Sequence, residues 1–320
     1  MPHRFSRRHF LAALGAVGTE LATPIRGWAA TGPFKLSILT DEISQDFGHA
    51  LEVAADEFGL GWIELRELWN KNVTALDAKQ VEEAQRLIER HKLRVSAIAS
   101  PLFKVDWPGA PVSQYSTQRD QFGADFTFKQ QETVLERVLE LARAFKTDRV
   151  RCFDFWRLEN QAPYRAAIDS KLREAAAKAG KQKVTLVLEN EYACNTATGA
   201  EAARTLEAVR SPHLKLTWDP GNAAFRGEKA YPDGYSRLPK NRIGHVHCKD
   251  ALRKPDGSYE WAAMGQGLID WIGQFRALKR DGYRGTVTLE THWRGAGTPE
   301  ASSRQSWAGM KKLLQDAGAL

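Results

Sequence analysis

Residues 243–250 read IGHVHCKD, an apolar run with a histidine at two alternate positions, followed by a lysine and an aspartate. Side chains two apart on a strand share a face, so His245 and His247 point together while Val246 and Cys248 point the other way. Seven similar β-rich runs accompany it: FKLSILT (34–40), WIELREL (62–68), RVSAIAS (94–100), RVRCFDF (149–155), VTLVLEN (184–190), LKLTWDP (214–220) and TVTLETH (286–292). Amphipathic helical stretches separate them, among them AKQVEEAQRLIERH (78–91), QQETVLERVLELARAF (130–145), RAAIDSKLREAAAKAG (165–180) and WIGQFRALKRDG (271–282), and a last helix near 300–316 closes the chain. Strands alternating with crossover helices pair in parallel through right-handed βαβ units. Eight of them predict an α/β fold: a single (β/α)8 TIM barrel domain over residues 34–320. A doubly wound sheet would carry a glycine-rich turn after its first strand, and LTDEISQD (39–46) has none.

Composition fits a globular chain, with 42% hydrophobic and 27% charged residues. Discounting the first thirty residues leaves 42 basic against 38 acidic side chains, a charge of +4. That is too little to argue for nucleic acid, and there is no basic run with interleaved aromatics. Cys152, Cys194 and Cys248 are at no metal-like spacing and read as small buried hydrophobes. Two connections are unusual. The stretch after the third strand, PLFKVDWPGAPVSQYSTQRDQFGADF (101–126), is long enough to fold over the barrel mouth as a partial lid, and the link from the sixth to the seventh strand has room for at most a short helix.

Strand five ends in Glu189, strand six in Asp219, strand seven carries His247 and strand eight ends in Glu290. Four consecutive strands thus each deliver a metal-competent side chain at the C-terminal face, which in a barrel is the catalytic face. Three carboxylates and one imidazole make an oxygen-rich set suited to one divalent metal ion, Mn first, with Mg or Co as alternatives. His245, one layer deeper, reads as a hydrogen-bonded core histidine.

LEN (188–190), WDPGN (218–222), GHVHCKD (244–250), GQG (265–267) and GTVTLET (285–291) together resemble the sugar phosphate isomerase/epimerase group of xylose-isomerase-like barrels over nearly the whole chain after residue 34. The resemblance implies that Glu189, Asp219, His247 and Glu290 are metal ligands, that Glu189 and Glu290 double as catalytic acid and base, and that Arg253, six beyond His247, holds substrate oxygens. In such a site one glutamate takes a proton from the carbon beside a carbonyl and the other returns it, through an enediolate. Return to the opposite face epimerises, return to the neighbouring carbon isomerises, and loss of a β-hydroxyl dehydrates. Two positions depart from the ketose 3-epimerase pattern, Asn222 where that group has histidine and Asn195 where it has glutamate, which points away from free ketohexoses.

Glu64 and Arg66, two apart at the end of strand two, read either as substrate contacts or as an ion pair inside the barrel; Asp41, ending strand one, shares that ambiguity. Lys249 is read as stabilising an enediolate or pairing with Asp250, and His292 as a contact near Glu290. Trp69, Trp107, Trp156 and Trp293 follow strands on the catalytic face, where indole rings suit sugar C–H surfaces or lid packing; Trp218 should point outward into the core. The expected partner is a small carbohydrate, with no nucleic acid and no stable membrane insertion; self-association is left open. An apurinic-endonuclease-like hydrolase would need further histidines at the ends of strands two and three, which ELREL and IASP lack. A sugar-binding barrel without turnover, or a lyase/dehydratase acting on a 3-keto-glycoside or inosose, are the alternatives.

Residues 1–30 carry SRRHFLAALGAVG (6–18), with Arg7 and Arg8 ahead of a short, weakly apolar run and Ala29 and Ala30 beyond it. This resembles a twin-arginine export signal cleaved near Ala29 or Ala30, which predicts a periplasmic protein. The run is short of the roughly 20 residues of a membrane span. Changing Arg7 and Arg8 to lysine is expected to leave the protein in the cytoplasm with its signal uncut, as read by fractionation and the mass of the chain.

Overall fold

The computed structural model describes residues 32–116, 122 and 124–320; the segment 1–30 expected to be an export signal, and residues 117–121 and 123 of the long loop after the third strand, lie outside these residues. Eight parallel strands follow one another around the sheet: β1 (Lys35–Ile38), β2 (Trp62–Leu65), β3 (Arg94–Ile98), β4 (Arg149–Cys152), β5 (Thr185–Glu189), β6 (Leu214–Trp218), β7 (Ile243–Cys248) and β8 (Thr286–Leu289). Strand β1 pairs with β8, from Lys35 opposite Thr286 to Ile38 opposite Leu289. A parallel bridge from Leu39 to Glu64 meets the remaining gap between β1 and β2, so the sheet is a nearly closed barrel. The alternation of runs legible in the sequence is therefore the architecture.

Period two decides what faces where. Leu186 and Leu188 of β5, Leu214, Leu216 and Trp218 of β6, Val246 and Cys248 of β7, and Val287 and Leu289 of β8 all belong to one apolar cluster with the surrounding helices. The alternate residues, Glu189, Thr217, His245, His247 and Thr288, are buried without joining it and face the axis. The apolar core is thus the layer between strands and helices, while the barrel interior is polar and hydrogen-bonded. Ser37 Oγ meets Ser96 Oγ at 3.1 Å, and His245 Nε2 lies 2.7 Å from Glu64 and 2.9 Å from Thr288 Oγ1. Trp218 points outward as expected and donates from Nε1 to Gln274 at 2.9 Å. The three cysteines are buried and free.

The helices bury the other side of that layer. Helix α1 (Phe47–Glu52) follows β1, α2 (Ala78–Arg90) follows β2, α3 (Gln131–Ala144) follows β3, α4 (Arg165–Lys181) follows β4 and α5 (Gly199–Ala208) follows β5. Asp77 and Thr198 begin α2 and α5 with reciprocal capping boxes to Gln80 and Glu201, each such cap stabilising a helix start by about 1 kcal/mol. Between β6 and β7 the chain is more helical than the sequence suggested: Asp219 caps α6 (Pro220–Phe225), with Pro220 at the first position where its missing N–H costs nothing, and short helical pieces over 230–237 follow, broken by the extended backbone of Tyr231. Helices α7 (Trp271–Arg280) and α8 (Pro299–Asp316) complete the ring. Among the described residues no helix is long and apolar enough to cross a membrane.

An antiparallel hairpin, Asp250–Arg253 with Tyr259–Ala262, follows β7 and was not anticipated. Its base is fastened by the Asp250 carboxylate, which accepts from the backbone N–H groups of Ala251, Gly265 and Gly267 at 2.9–3.0 Å. This explains the GQG motif: Gly265 has φ +84°, and a Cβ on Gly267 would come within 2.1 Å of Asp250 Oδ1. Asp250→Ala strands these buried donors and is expected to cost about 2–4 kcal/mol in urea unfolding, with the hairpin becoming the first segment to exchange its amide hydrogens.

Candidate metal centre

Glu189, Asp219, His247 and Glu290 converge at the C-terminal end of the barrel, where each offers one ligand atom within 4.8 Å of the others. None is more than 1% exposed. His247 Nδ1 lies 3.2 Å from Glu189 Oε1, 3.1 Å from Glu290 Oε2 and 4.0 Å from Asp219 Oδ2. The far side of the ring faces Glu64, with Nε2 at 3.2 Å from both carboxylate oxygens. A carboxylate behind a histidine fixes the ring and leaves the other nitrogen for a cation, so Glu64 serves His247 and His245 rather than Arg66.

Arg66 takes its own partners. Its guanidinium donates to Asp41 Oδ2 and Glu42 Oε1 at 2.7 Å and to Glu290 Oε1 at 2.9 Å, under the ring of Phe122 at 3.8 Å. The notion of a Glu64–Arg66 ion pair is therefore corrected: the two share a face but are separately engaged. Lys249 is buried with its ammonium 2.7 Å from Glu290 Oε2 and 2.9 Å from Asp219 Oδ2. It does not pair with Asp250, whose carboxylate is taken by the hairpin base. Asn222 Nδ2 approaches Glu189 Oε1 at 3.2 Å, and His292 stands at the rim, 3.1 Å from Glu42 and 3.6 Å from Glu290.

Whether the residues suit a cation can be judged from their chemistry. Seven buried carboxylates (Asp41, Glu42, Glu64, Glu189, Glu191, Asp219, Glu290) face only four buried permanent cations (Lys104, Arg66, Arg151, Lys249), with Arg294 reaching in from the rim to Glu42 at 2.8 Å. With Asp219 and His247 deprotonated the excess is two negative charges, which a divalent ion would balance in place of those protons. Glu189 Oε2 and Asp219 Oδ2 are buried and accept no hydrogen bond, although Arg151 and Lys249 lie close to them, so lone pairs remain for a ligand. The donor set fits a divalent metal.

Above these groups opens a cavity of about 320 Å³, lined by Asn222, Lys249, Glu290 and His292 as expected, and also by Trp156 and Trp261. A wider cleft of about 690 Å³ lies at the opposite end, around Trp62 and Arg94 at the starts of β2 and β3, away from this chemistry. Four expected contacts do not line the cavity. Glu64 and Arg66 are engaged below it, Trp107 of the long loop packs edge-on against Phe128 and Phe155, and Arg253 is exposed on the hairpin. Trp69 likewise packs on Phe47. Conversely Arg151, Glu42, Lys104, Glu191, Trp261 and Arg294 were not singled out from sequence. Arg151 was within reach of it, since it alternates with Val150 and Cys152 and must face the axis; Lys104, Glu191 and Arg294 sit on loops, Trp261 is on the hairpin after β7, and Glu42 follows Asp41 in a turn beyond β1. Asn195 stays structural, donating to the carbonyls of Asp154 and Trp156.

A family profile described as "Xylose isomerase-like TIM barrel" matches residues 52–313. The chain belongs to this family. It is 22% identical over 190 residues to the putative L-ribulose-5-phosphate 3-epimerase SgbU of Escherichia coli K12, covering 58% of this chain and 66% of that protein. It is 29% identical over 137 residues to an inosose dehydratase of Geobacillus thermodenitrificans, covering 38% of this chain and 44% of that protein. Both matches thus span two thirds or less of the relatives' own lengths. Among solved structures, the IolI protein with a bound zinc atom superposes with a TM-score of 0.68 at 18% identity, over 89% of this chain and 98% of that one.

The buried charges set the protonation of this xylose-isomerase-like centre. Burial would raise Glu189, yet Arg151 and then His247 outweigh it and hold the carboxylate at about 2. Burial likewise opposes the charge on Glu290, but Lys249, His247 and His292 keep it well below the usual carboxylate range. Asp219 is pushed up to about 7 by burial, which Lys249 offsets only in part, and His247 is raised well above the ordinary imidazole value because Glu64, Glu290 and Glu189 overcome its burial. Both raised groups contribute stability to the metal-free protein that is lost as pH rises through their folded values, and both must shed protons to bind a cation. The rise in melting temperature on adding Mn²⁺ to chelator-treated protein is therefore expected to be small at about pH 5.5 and to increase through pH 8; a rise that is independent of pH would mean that these groups are not the ligands.

Proposed function

We propose that the protein is a divalent-metal-dependent sugar isomerase or epimerase acting through an enediolate on a keto-sugar or polyol-derived ketone. The observation that carries this is the placement of Glu189 and Glu290: two buried carboxylates from strands three apart, both near 3 Å from His247 Nδ1 and both held ionised at neutral pH. A divalent ion held by Glu189, Asp219, His247 and Glu290, with Mn²⁺ favoured by the oxygen-rich set, would supply Lewis acidity toward adjacent substrate oxygens. The remaining work falls to the chain. One glutamate accepts the proton from the carbon beside the carbonyl, and the other delivers it. Arg66 donates to Glu290 Oε1, and Glu290 lines the cavity, while Arg151 lies 3.1 Å from Glu189 Oε2; the two guanidiniums restrain the two carboxylates. Trp156 and Trp261 narrow the mouth and limit water.

A second reading, dehydration, is favoured by Lys249. Its ammonium lies 2.7 Å from Glu290, where it can hydrogen-bond a departing β-hydroxyl while a glutamate passes to that hydroxyl the proton taken from carbon, so that water leaves; the similarity to an inosose dehydratase supports it. Delivery to the periplasm through the twin-arginine route, which carries folded proteins, suits an enzyme that acquires its cation before export.

The test is exchange of carbon-bound hydrogen with solvent deuterium across ketoses, inososes and keto-glycosides. Exchange is expected to need added Mn²⁺ and to fall by about 10²–10⁴-fold in both Glu189→Gln and Glu290→Gln, with the product separating epimerisation from dehydration. Tight binding of a sugar without any exchange would make the protein a binding barrel.

A further inference from the structure

The cavity continues outward along one wall as a ledge of aromatic rings. Trp261 and Tyr192 line the cavity itself. Trp261 is stacked on Phe225 at 3.9 Å with the planes 25° apart, and Phe225 in turn meets Tyr259 at 5.7 Å. These rings come from three separate segments, the loop after β5, helix α6 and the hairpin after β7, and they remain half-buried. Arg253 completes the ledge. It is the cross-strand partner of Tyr259, and residues directly opposite on an antiparallel pair project from the same face. It is exposed and too far out to line the cavity.

Anchoring the hairpin accounts for the Phe225–Tyr259 contact, and the Lys249 ammonium 5.0 Å from the indole and His292 at 5.5 Å account for part of the Trp261 surface, but neither explains why half-buried rings run on outward from the cavity. Fixed aromatic faces next to a polar pocket suit the apolar C–H face of a sugar ring, and a guanidinium beyond them suits its hydroxyl oxygens. At about 320 Å³ the cavity lies at the small end of the range for ligand pockets, roughly 300–1,000 Å³, so a second ring would have to sit outside it. Resting on the reading that the pocket takes a keto-sugar, we propose that the substrate is a keto-glycoside: the ring that carries the ketone occupies the cavity, and the second ring lies along Trp261, Phe225 and Tyr259 with Arg253 at its outer edge.

Calorimetric titration of the Mn²⁺-loaded full chain with methyl 3-keto-α- and β-glucosides, and with the 3-keto forms of maltose, cellobiose and lactose, tests this in the wild type, Tyr259→Ala and Arg253→Ala. Both substitutions are on the hairpin, away from the four candidate ligands. At least one disaccharide is expected to bind about tenfold more tightly than the methyl glycosides, and that advantage should shrink to about twofold in both variants while methyl glycoside affinity stays unchanged. Methyl glycosides that bind as well as every disaccharide, or an advantage that survives both substitutions, would overturn the proposal and leave the carbohydrate reading intact. Failure of all these sugars to bind would remove the glycoside proposal together with the reading beneath it.

Discussion

Too many carboxylates for the available cations, all taken out of water at one end of a barrel, is the constraint to which the rest of the structure answers. An unpaired buried charge is costly, and removing one partner of a buried pair typically loses about 3–5 kcal/mol. Arg66, Arg151 and Lys249 are the response. Through them, strand ends are joined by side chains as well as by the sheet: Arg66 ties the end of β2 to the turn after β1 and to Glu290 after β8, and Lys249 after β7 spans Asp219 and Glu290. The same pairs that make the burial tolerable hold the two glutamates in fixed orientations.

Such an axis contributes little hydrophobic stabilisation, so the fold rests on the layer outside the strands. Ile38, Ile63, Ile98, Leu188, Leu216 and Leu289 are fully buried there against the helices. This division lets the inner face of each strand be spent on chemistry. A Ser, Glu, Arg or His on the axis displaces no side chain that the core needs.

That division is also why the fold and the four central residues were legible in sequence. Period two in β5 to β8 separates Leu188 from Glu189 and Val246 from His247 without any knowledge of the partner strands, and parallel register then brings the polar set to one end. Side chains whose position depends on loop paths were not legible. Trp261 needs a hairpin, Lys104 and Glu191 need the turns beyond β3 and β5, and none of these leaves a periodic trace. Arg253 was read at the right spacing from His247, but Asp250 begins a hairpin there and carries it outward. Glu64 and Arg66 were read correctly as facing inward; their partners come from residues up to about two hundred positions away, which spacing within one strand does not encode.

Asp219 divides its two oxygens between different tasks. Oδ1 accepts from Asn222 N at 2.9 Å and starts helix α6, while Oδ2 faces the cation cluster. An asparagine presents the same Oδ1 to the helix but replaces the other oxygen with an amide. The turn can therefore outlive the charge, and a barrel of this kind has a route to lose one carboxylate of its buried cluster without refolding, with the aromatic rings carried by α6 kept in place.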